Sequence, residues 1–131
     1  MANNKTVHFK LRNCLYVALF LTCFIPSCFA ADEWTKEDTA YQTTFLTLMA
    51  VDWQQTKEIA RNPKYREGNF ILGEKPDQNT VDAYFLTTAA LHTVIAYYLP
   101  QKYRRIWQCV FIGMEAGCTA NNYSAGIRIH F

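Results

Sequence analysis

The feature that most constrains the fold is a long helix-forming run without formal charge. Between Asp82 and Pro100 the sequence reads AYFLTTAALHTVIAYYL, with no acidic residue, no lysine and no arginine. A helix that is apolar nearly all round lies either in a protein core or in a membrane. A chain of 131 residues has little protein with which to surround such a helix. The run therefore favours lipid on at least one face, although its 17 residues are few for a span, which takes roughly 20 residues. A soluble exported helical domain is the alternative, and both interpretations predict that Leu91 and Ile95 are buried.

Helix signals also dominate the rest of the chain. Thr35 and Asp38 form a T-x-x-D capping pattern, and the segment that follows contains neither glycine nor proline up to Pro63. Asn79 or Thr80 can cap the charge-free helix. The sequence predicts an all-α fold, a three-helix bundle that follows an N-terminal signal helix. The predicted helices are 36–61, 80–99 and 103–121, and the tail 122–131 is predicted to be a short strand or an extended coil.

A long linker separates the first two predicted helices. It reads NPKYREGNFILGEKPDQN, and its two glycines and two prolines are typical of a loop. Loops of this length in small domains are usually functional or packed by their own side chains. The linker is therefore predicted to be ordered, with Phe70, Ile71 and Leu72 tucked against the helices.

The first thirty residues resemble a secretory signal. Basic residues precede an apolar run at 14–24, Pro26 breaks the run, and Ala30 suits a signal peptidase. Residues 1–30 are thus predicted to be a signal peptide, and 31–131 a single helical domain. An uncleaved anchor helix and a lipoprotein modified at Cys28 are the alternatives.

Charge and cysteine usage narrow the function classes. Removing residues 1–30 leaves ten basic and eleven acidic residues, a net charge of −1. Binding to nucleic acid, which depends on clustered lysine and arginine, is therefore not expected.

Cys109 and Cys118 lie nine positions apart in one predicted helix, on opposite faces, so a disulfide between them is not expected.

Several polar residues interrupt otherwise apolar helix surfaces. On the third helix, Gln108, Glu115, Thr119 and Asn122 follow one another at steps of seven, four and three. Such residues are expected to meet inside the bundle, either as a hydrogen-bond network that fixes helix packing or as a ligand site. The candidate residues are Asp52, Gln55, Thr56, Glu67, Asn69, His92, Glu115 and Asn121.

Catalysis has weaker support in the sequence. Asp52, Glu67, His92 and Glu115 include the ligand types of a metal-dependent hydrolase. However, the chain has no H-x-x-x-H, C-x-x-C or E-x-x-H spacing. No catalytic residue, metal ligand or cofactor is therefore assigned, and the hydrolase is kept as an alternative.

The order of these motifs resembles that of a known group of proteins. The segments VDWQQTKEIARN, REGNFILGEKPDQNTVDAYF, LPQKYRRIWQ and GMEAGCTANNYSAGI are similar to a family of small uncharacterised bacterial and phage-encoded proteins. The family pattern is D-x-x-Q-T, E-x-N-x-x-L-G-x-x-P, V-x-x-Y-F, then a late Glu and Asn, although Phe70 replaces the proline that usually follows the Asn. The positions that match are Asp52, Gln55, Thr56, Glu67, Asn69, Leu72, Gly73, Pro76, Tyr84, Phe85, Glu115 and Asn121. Because such proteins are described as membrane or exported proteins, the resemblance implies a location and no activity.

The sequence thus predicts a small exported protein that is associated with the inner membrane or lies in the periplasm. If it is embedded in the membrane, its helices are expected to be transmembrane helices. It is expected to bind an envelope protein partner rather than to catalyse a reaction. A structural membrane component without a ligand is a further alternative. The oligomeric state is not predicted.

Overall fold

The computed structural model describes residues 32–129, which form three helices. They are α1 (Lys36–Arg61), α2 (Gln78–Tyr98) and α3 (Gln101–Ser124). The all-α prediction is confirmed, and within residues 32–129 the chain forms no β-strand. The predicted signal peptide, with Cys28, lies outside the described residues.

The helix starts are set by local hydrogen bonds. The predicted capping box is present, since Thr35 Oγ1 accepts from the Asp38 N–H at 3.1 Å and Asp38 Oδ2 accepts from the Thr35 N–H at 2.9 Å. The N-cap of α2 is Asp77 rather than Asn79 or Thr80, because the Asp77 carboxylate accepts from both of their N–H groups. Pro100 is the N-cap of α3 and separates it from α2.

The chain runs up, down and up, with α1 packed against both other helices. Gln42 of α1 bonds to Thr93 of α2, and Lys57 near the end of α1 bonds to Asp82 near the start of α2, so these helices are antiparallel. Contacts between α1 and α3 run in the same direction along both helices, so that pair is parallel. The apolar core lies between α1 and α2 and consists of Phe45, Met49, Val81 and Phe85.

Only one face of α2 is buried. Val81, Phe85, His92 and Ala96, at steps of four and seven, point inward. Leu91 is 56% exposed and Ile95 is half-buried. The prediction that Leu91 lies in a core is wrong, because α1 and α3 cover less of α2 than its uniform composition suggested.

The uncovered sides of α2 and α3 are largely apolar. On α2 the exposed large side chains are Leu86, Leu91, Val94, Tyr97 and Tyr98. We call the corresponding surface of α3 its outer face, which consists of Tyr103, Ile106, Val110, Gly113, Met114 and Gly117. The exposed positions of α3 between Tyr103 and Ser124 include no charged residue. No helix within residues 32–129 combines the length and the apolar character needed to cross a membrane.

The linker is held by polar contacts. Phe70 is 92% exposed and Ile71 is also exposed, so the prediction that they pack against the helices is wrong for both. Instead, Lys75 Nζ donates to the carbonyls of Asn62 and Tyr65, and Gln78 Nε2 donates to the Lys57 carbonyl at 3.0 Å. These contacts fix the linker close to the C-terminal end of α1.

Candidate functional site

Three carboxylates from three elements lie within electrostatic range of Asp52, in the C-terminal halves of α1 and α3. Asp52 comes from α1, Glu115 from α3 and Glu67 from the linker. The charge of Asp52 is close enough to those of Glu67 and Glu115 to shift carboxyl pKa values within the group. We call these three residues the carboxylate cluster.

Neighbouring amides hold two members of the cluster. Asn122 Nδ2 donates to Asp52 Oδ1 at 2.8 Å, and so ties α3 to α1. The backbone N–H of Asn69 donates to Glu67 Oε1 at 2.8 Å. Asn69 in turn accepts from the N–H of Ile71 through its side chain, so it shapes the turn that carries Glu67.

The cluster also holds buried oxygens that lack donors. Within residues 32–129, Glu67 Oε2 and Glu115 Oε2 are buried and have no hydrogen-bond partner. Beside them on the α1–α3 contact, Gln55 Nε2 donates to the Thr119 carbonyl at 3.4 Å, while Gln55 Oε1 and Thr119 Oγ1 have no partner among the described residues. A buried acceptor without a donor carries a desolvation cost.

This environment favours protonated acids. Burial, together with the charge of Glu67, raises the pKa of Asp52 to about 6, although the bond from Asn122 acts in the opposite direction. Burial and the charge of Asp52 raise the pKa of Glu115 to about 7. Burial and the charges of Asp52, Glu115 and Glu67 raise the pKa of the nearby Cys118 thiol. At neutral pH the cluster is therefore partly protonated.

The other candidate residues differ in burial. Thr56 is buried on α1 next to Gln55, as both were expected to be. Asn121 is exposed, and it is its neighbour Asn122 that bonds to Asp52. One position along a helix turns a side chain by about 100°. The spacing of polar residues on the third helix, which ended at Asn122, thus pointed to the residue that bonds to Asp52. The family resemblance pointed instead to its neighbour Asn121.

His92 lies apart from the carboxylate cluster, among aromatic rings. Its imidazole stacks on Phe45 with centroids 3.7 Å apart, and it also contacts Trp107 and Phe111 at 5.5 and 5.0 Å. Burial lowers the pKa of His92 to about 4, so the ring is neutral at pH 7. The histidine that the hydrolase hypothesis needed is thus a packed core residue.

The ligand set of the hydrolase hypothesis is therefore divided between two places. Among residues 32–129, no group of three histidine, cysteine, aspartate or glutamate side chains is arranged to hold a metal ion.

A second polar centre, which the sequence did not reveal, lies at the other end of the bundle. Arg104 Nη1 donates to Asp38 Oδ2 at 2.8 Å, and Arg104 Nε donates to the Ala96 carbonyl at 2.9 Å. Burial alone would raise the pKa of Asp38, but the bonds from Thr35 and Arg104 outweigh it and hold that pKa below its usual value. Nothing in the sequence singled out Arg104, which lies in the basic run that follows Pro100.

Comparison with known proteins provides no relative. No family model, no curated protein and no solved structure matches the chain.

Proposed function

We propose that this protein acts by binding, and that the outer face of α3 docks against an uncharged apolar helix of another envelope protein. The observation that carries the proposal is the exposure of Ile106, Val110 and Met114 on one side of α3. Contiguous exposed apolar surface on a small protein marks an interaction site. The envelope location rests on the signal peptide expected from residues 1–30.

The chemistry of the outer face favours a helix as the partner. Gly113 and Gly117 are four residues apart, and a Cβ atom built at either would meet open space. Small residues at this spacing allow two helix backbones to approach closely. The apolar side chains beside them would then pack around the partner helix.

Charge favours a protein over a lipid surface. Surface-binding helices usually carry lysine and arginine around their apolar face, which attract anionic headgroups. The exposed positions of α3 from Tyr103 to Ser124 contain neither. An apolar segment of a protein, without charged groups opposite the face, matches this surface better.

In-cell photocrosslinking tests the proposal. A photoreactive residue at Val110 should give one discrete adduct with a protein that has apolar helices, whereas the same residue at exposed Thr47 of α1 should give none. Ile106→Lys should abolish the adduct without changing helicity or thermal stability, because Ile106 is exposed. Ile106→Val is the matched conservative control and should retain the adduct.

Three outcomes would overturn the proposal. An adduct of twice the mass of the chain would assign the face to a second copy of this protein. Adducts with lipid, together with binding of the purified protein to phosphatidylglycerol vesicles, would assign it to the bilayer. Equal adducts from Val110 and Thr47 would remove any role for the outer face.

A further inference from the structure

The linker presents two adjacent apolar side chains to solvent. Phe70 is 92% exposed, the highest value for a large apolar side chain among residues 32–129, and Ile71 is 63% exposed. We call these two residues the linker tip. Neighbouring exposed apolar side chains on a small protein mark a contact surface.

Hydrogen bonds hold the turn that carries the linker tip. The Asn69 carbonyl accepts from the Gly73 N–H at 3.0 Å, and the Asn69 side chain accepts from the Ile71 N–H at 3.0 Å. Gly73 has a φ of +77°, which glycine adopts without strain. At the base of the turn the Glu67 N–H donates to the Glu74 carbonyl at 3.0 Å. The tip is thus presented in a defined conformation, so burying it in a contact costs little ordering entropy.

The apolar surface of the linker tip continues onto α2. Ile71 and Leu72 line an open groove together with Ala83, Tyr84 and Thr87 of α2. Tyrosine, which has an apolar ring and a polar end, is enriched where a membrane meets water. The tip and the groove therefore form one apolar surface that includes an amphipathic aromatic residue.

Basic residues flank the linker tip along the chain. Residues 61–75 contain two acids and four exposed cations, namely Arg61, Lys64, Arg66 and Lys75. Arg66 is paired with Glu74 at the base of the turn. Arg61 and Lys64 have no acidic partner within ion-pair distance among the described residues. The outer face of α3, in contrast, has no charged position.

We propose that the linker tip inserts into the surface of a bilayer that contains anionic phospholipids. Phe70 and Ile71 would lie at the boundary between headgroups and acyl chains, with the basic residues of the linker against the headgroups. A convex apolar tip needs no preformed pocket in a fluid bilayer, and cations beside apolar side chains are the combination that anionic membrane surfaces attract. The proposal is independent of binding by the outer face of α3.

Vesicle flotation tests the insertion. The purified natural protein should bind vesicles of phosphatidylglycerol and phosphatidylcholine in equal parts, and should bind vesicles of phosphatidylcholine alone at least about tenfold more weakly. Phe70→Ser/Ile71→Ser should lower the affinity for the mixed vesicles at least about tenfold, because these side chains supply the apolar contact. Leu91→Ser/Val94→Ser removes two exposed apolar side chains of α2 instead, and this matched control should bind as the natural protein does.

Two further variants separate the contributions. Arg61→Gln/Lys64→Gln should weaken binding to the mixed vesicles at least about tenfold and leave binding to phosphatidylcholine unchanged. Ile106→Lys on the outer face should leave vesicle binding unchanged while it abolishes the adduct formed from Val110. Failure of either proposal is therefore distinguishable from failure of the other.

Several results would overturn insertion of the linker tip. Binding that Phe70→Ser/Ile71→Ser retains in full would show that another part of the chain, such as residues 1–30, holds the lipid. Equal losses from Leu91→Ser/Val94→Ser would remove any special role for the tip, and loss of binding in Ile106→Lys would move the contact to α3. A dimer in sedimentation without vesicles that Phe70→Ser/Ile71→Ser converts to a monomer would assign the tip to a second copy. A photoreactive residue at position 70 that gives a discrete protein adduct in cells, and none with lipid, would assign it to a protein partner.

Discussion

Arg104 and Asp38 form an ion pair with their charged atoms 2.8 Å apart and both side chains fully buried. The same guanidinium donates to the carbonyls of Asp32 and Glu33, at 2.8 and 3.2 Å, and lies over the Trp34 ring. One side chain of α3 thus joins the segment before α1, the start of α1 and the C-terminal end of α2.

Loss of Arg104 should destabilise the fold severely. Arg104→Met leaves the Asp38 charge buried without its partner, which typically costs about 3–5 kcal/mol. Arg105→Met is the matched control, because its pair with Glu37 is partly exposed to solvent and should contribute little to stability. Urea unfolding at pH 7 measures both, and equal losses would contradict this role for Arg104.

The two neighbouring asparagines should behave differently. Asn122→Ala removes the donor to Asp52 Oδ1, and loss of a bond to a charged or partly charged acceptor costs about 1–3 kcal/mol. Asn121→Ala affects an exposed side chain and should change stability by less than about 0.5 kcal/mol. If thermal unfolding gives the same shift for both, Asn122 does not tie α3 to α1.

His92→Phe should remove one part of the pH dependence of stability. The pKa of His92 is about 4 in the folded protein and about 6.5 when exposed, so its contribution is complete above pH 6.5 and is lost as the pH falls to 4. Between pH 7 and 4.5 this amounts to about 2–3 kcal/mol. On acidification the free energy of unfolding of the natural protein, measured in urea, should therefore fall by this amount relative to that of His92→Phe. The carboxylate cluster changes stability in the opposite direction but is common to both proteins, so a constant difference would show that His92 is not buried.

The two sides of α2 should tolerate substitution unequally. Leu91→Lys places a charge on an exposed position and should change stability by about 0.5 kcal/mol or less. Phe85→Ala empties a core position that stacks on Trp53, which typically costs about 3–5 kcal/mol. Similar losses from both in chemical unfolding would place Leu91 in a buried contact.

Cys118 should react slowly for an exposed thiol. Its pKa is raised by burial and by Asp52, Glu115 and Glu67, and the thiolate is the reactive form. In a Cys109→Ser background, Asp52→Asn should therefore speed the reaction with iodoacetamide at pH 8. An unchanged rate would mean that the Asp52 charge does not reach the thiol.

The sequence predicted best what short-range rules determine. Thr35 and Asp38 are three residues apart, so the start of α1 could be located from that spacing alone. At α2 the sequence favoured Asn79 or Thr80 as the cap, whereas the folded backbone uses Asp77, two residues before Asn79.

Tertiary contacts were harder to predict. Asp52 and Glu115 stood out because each is polar on an otherwise apolar helix surface, and burial raises the pKa of both. Arg104 gave no such signal, because its partners are backbone carbonyls from Asp32, Glu33 and Ala96 as well as one carboxylate. A pattern of side-chain types cannot show where distant carbonyls will converge.

Beside its small apolar core, the interior of this bundle holds an ion pair, glutamines and a histidine, while several large apolar side chains, among them Leu91, Val110 and Met114, lie outside. Unfolding therefore exposes less new apolar surface than it would in an ordinary domain of this length. The heat-capacity increment and the urea m-value both scale with that newly exposed surface. Thermal and urea transitions of this protein should accordingly be broad, and a hydrophobic dye should fluoresce on the native state before any unfolding begins.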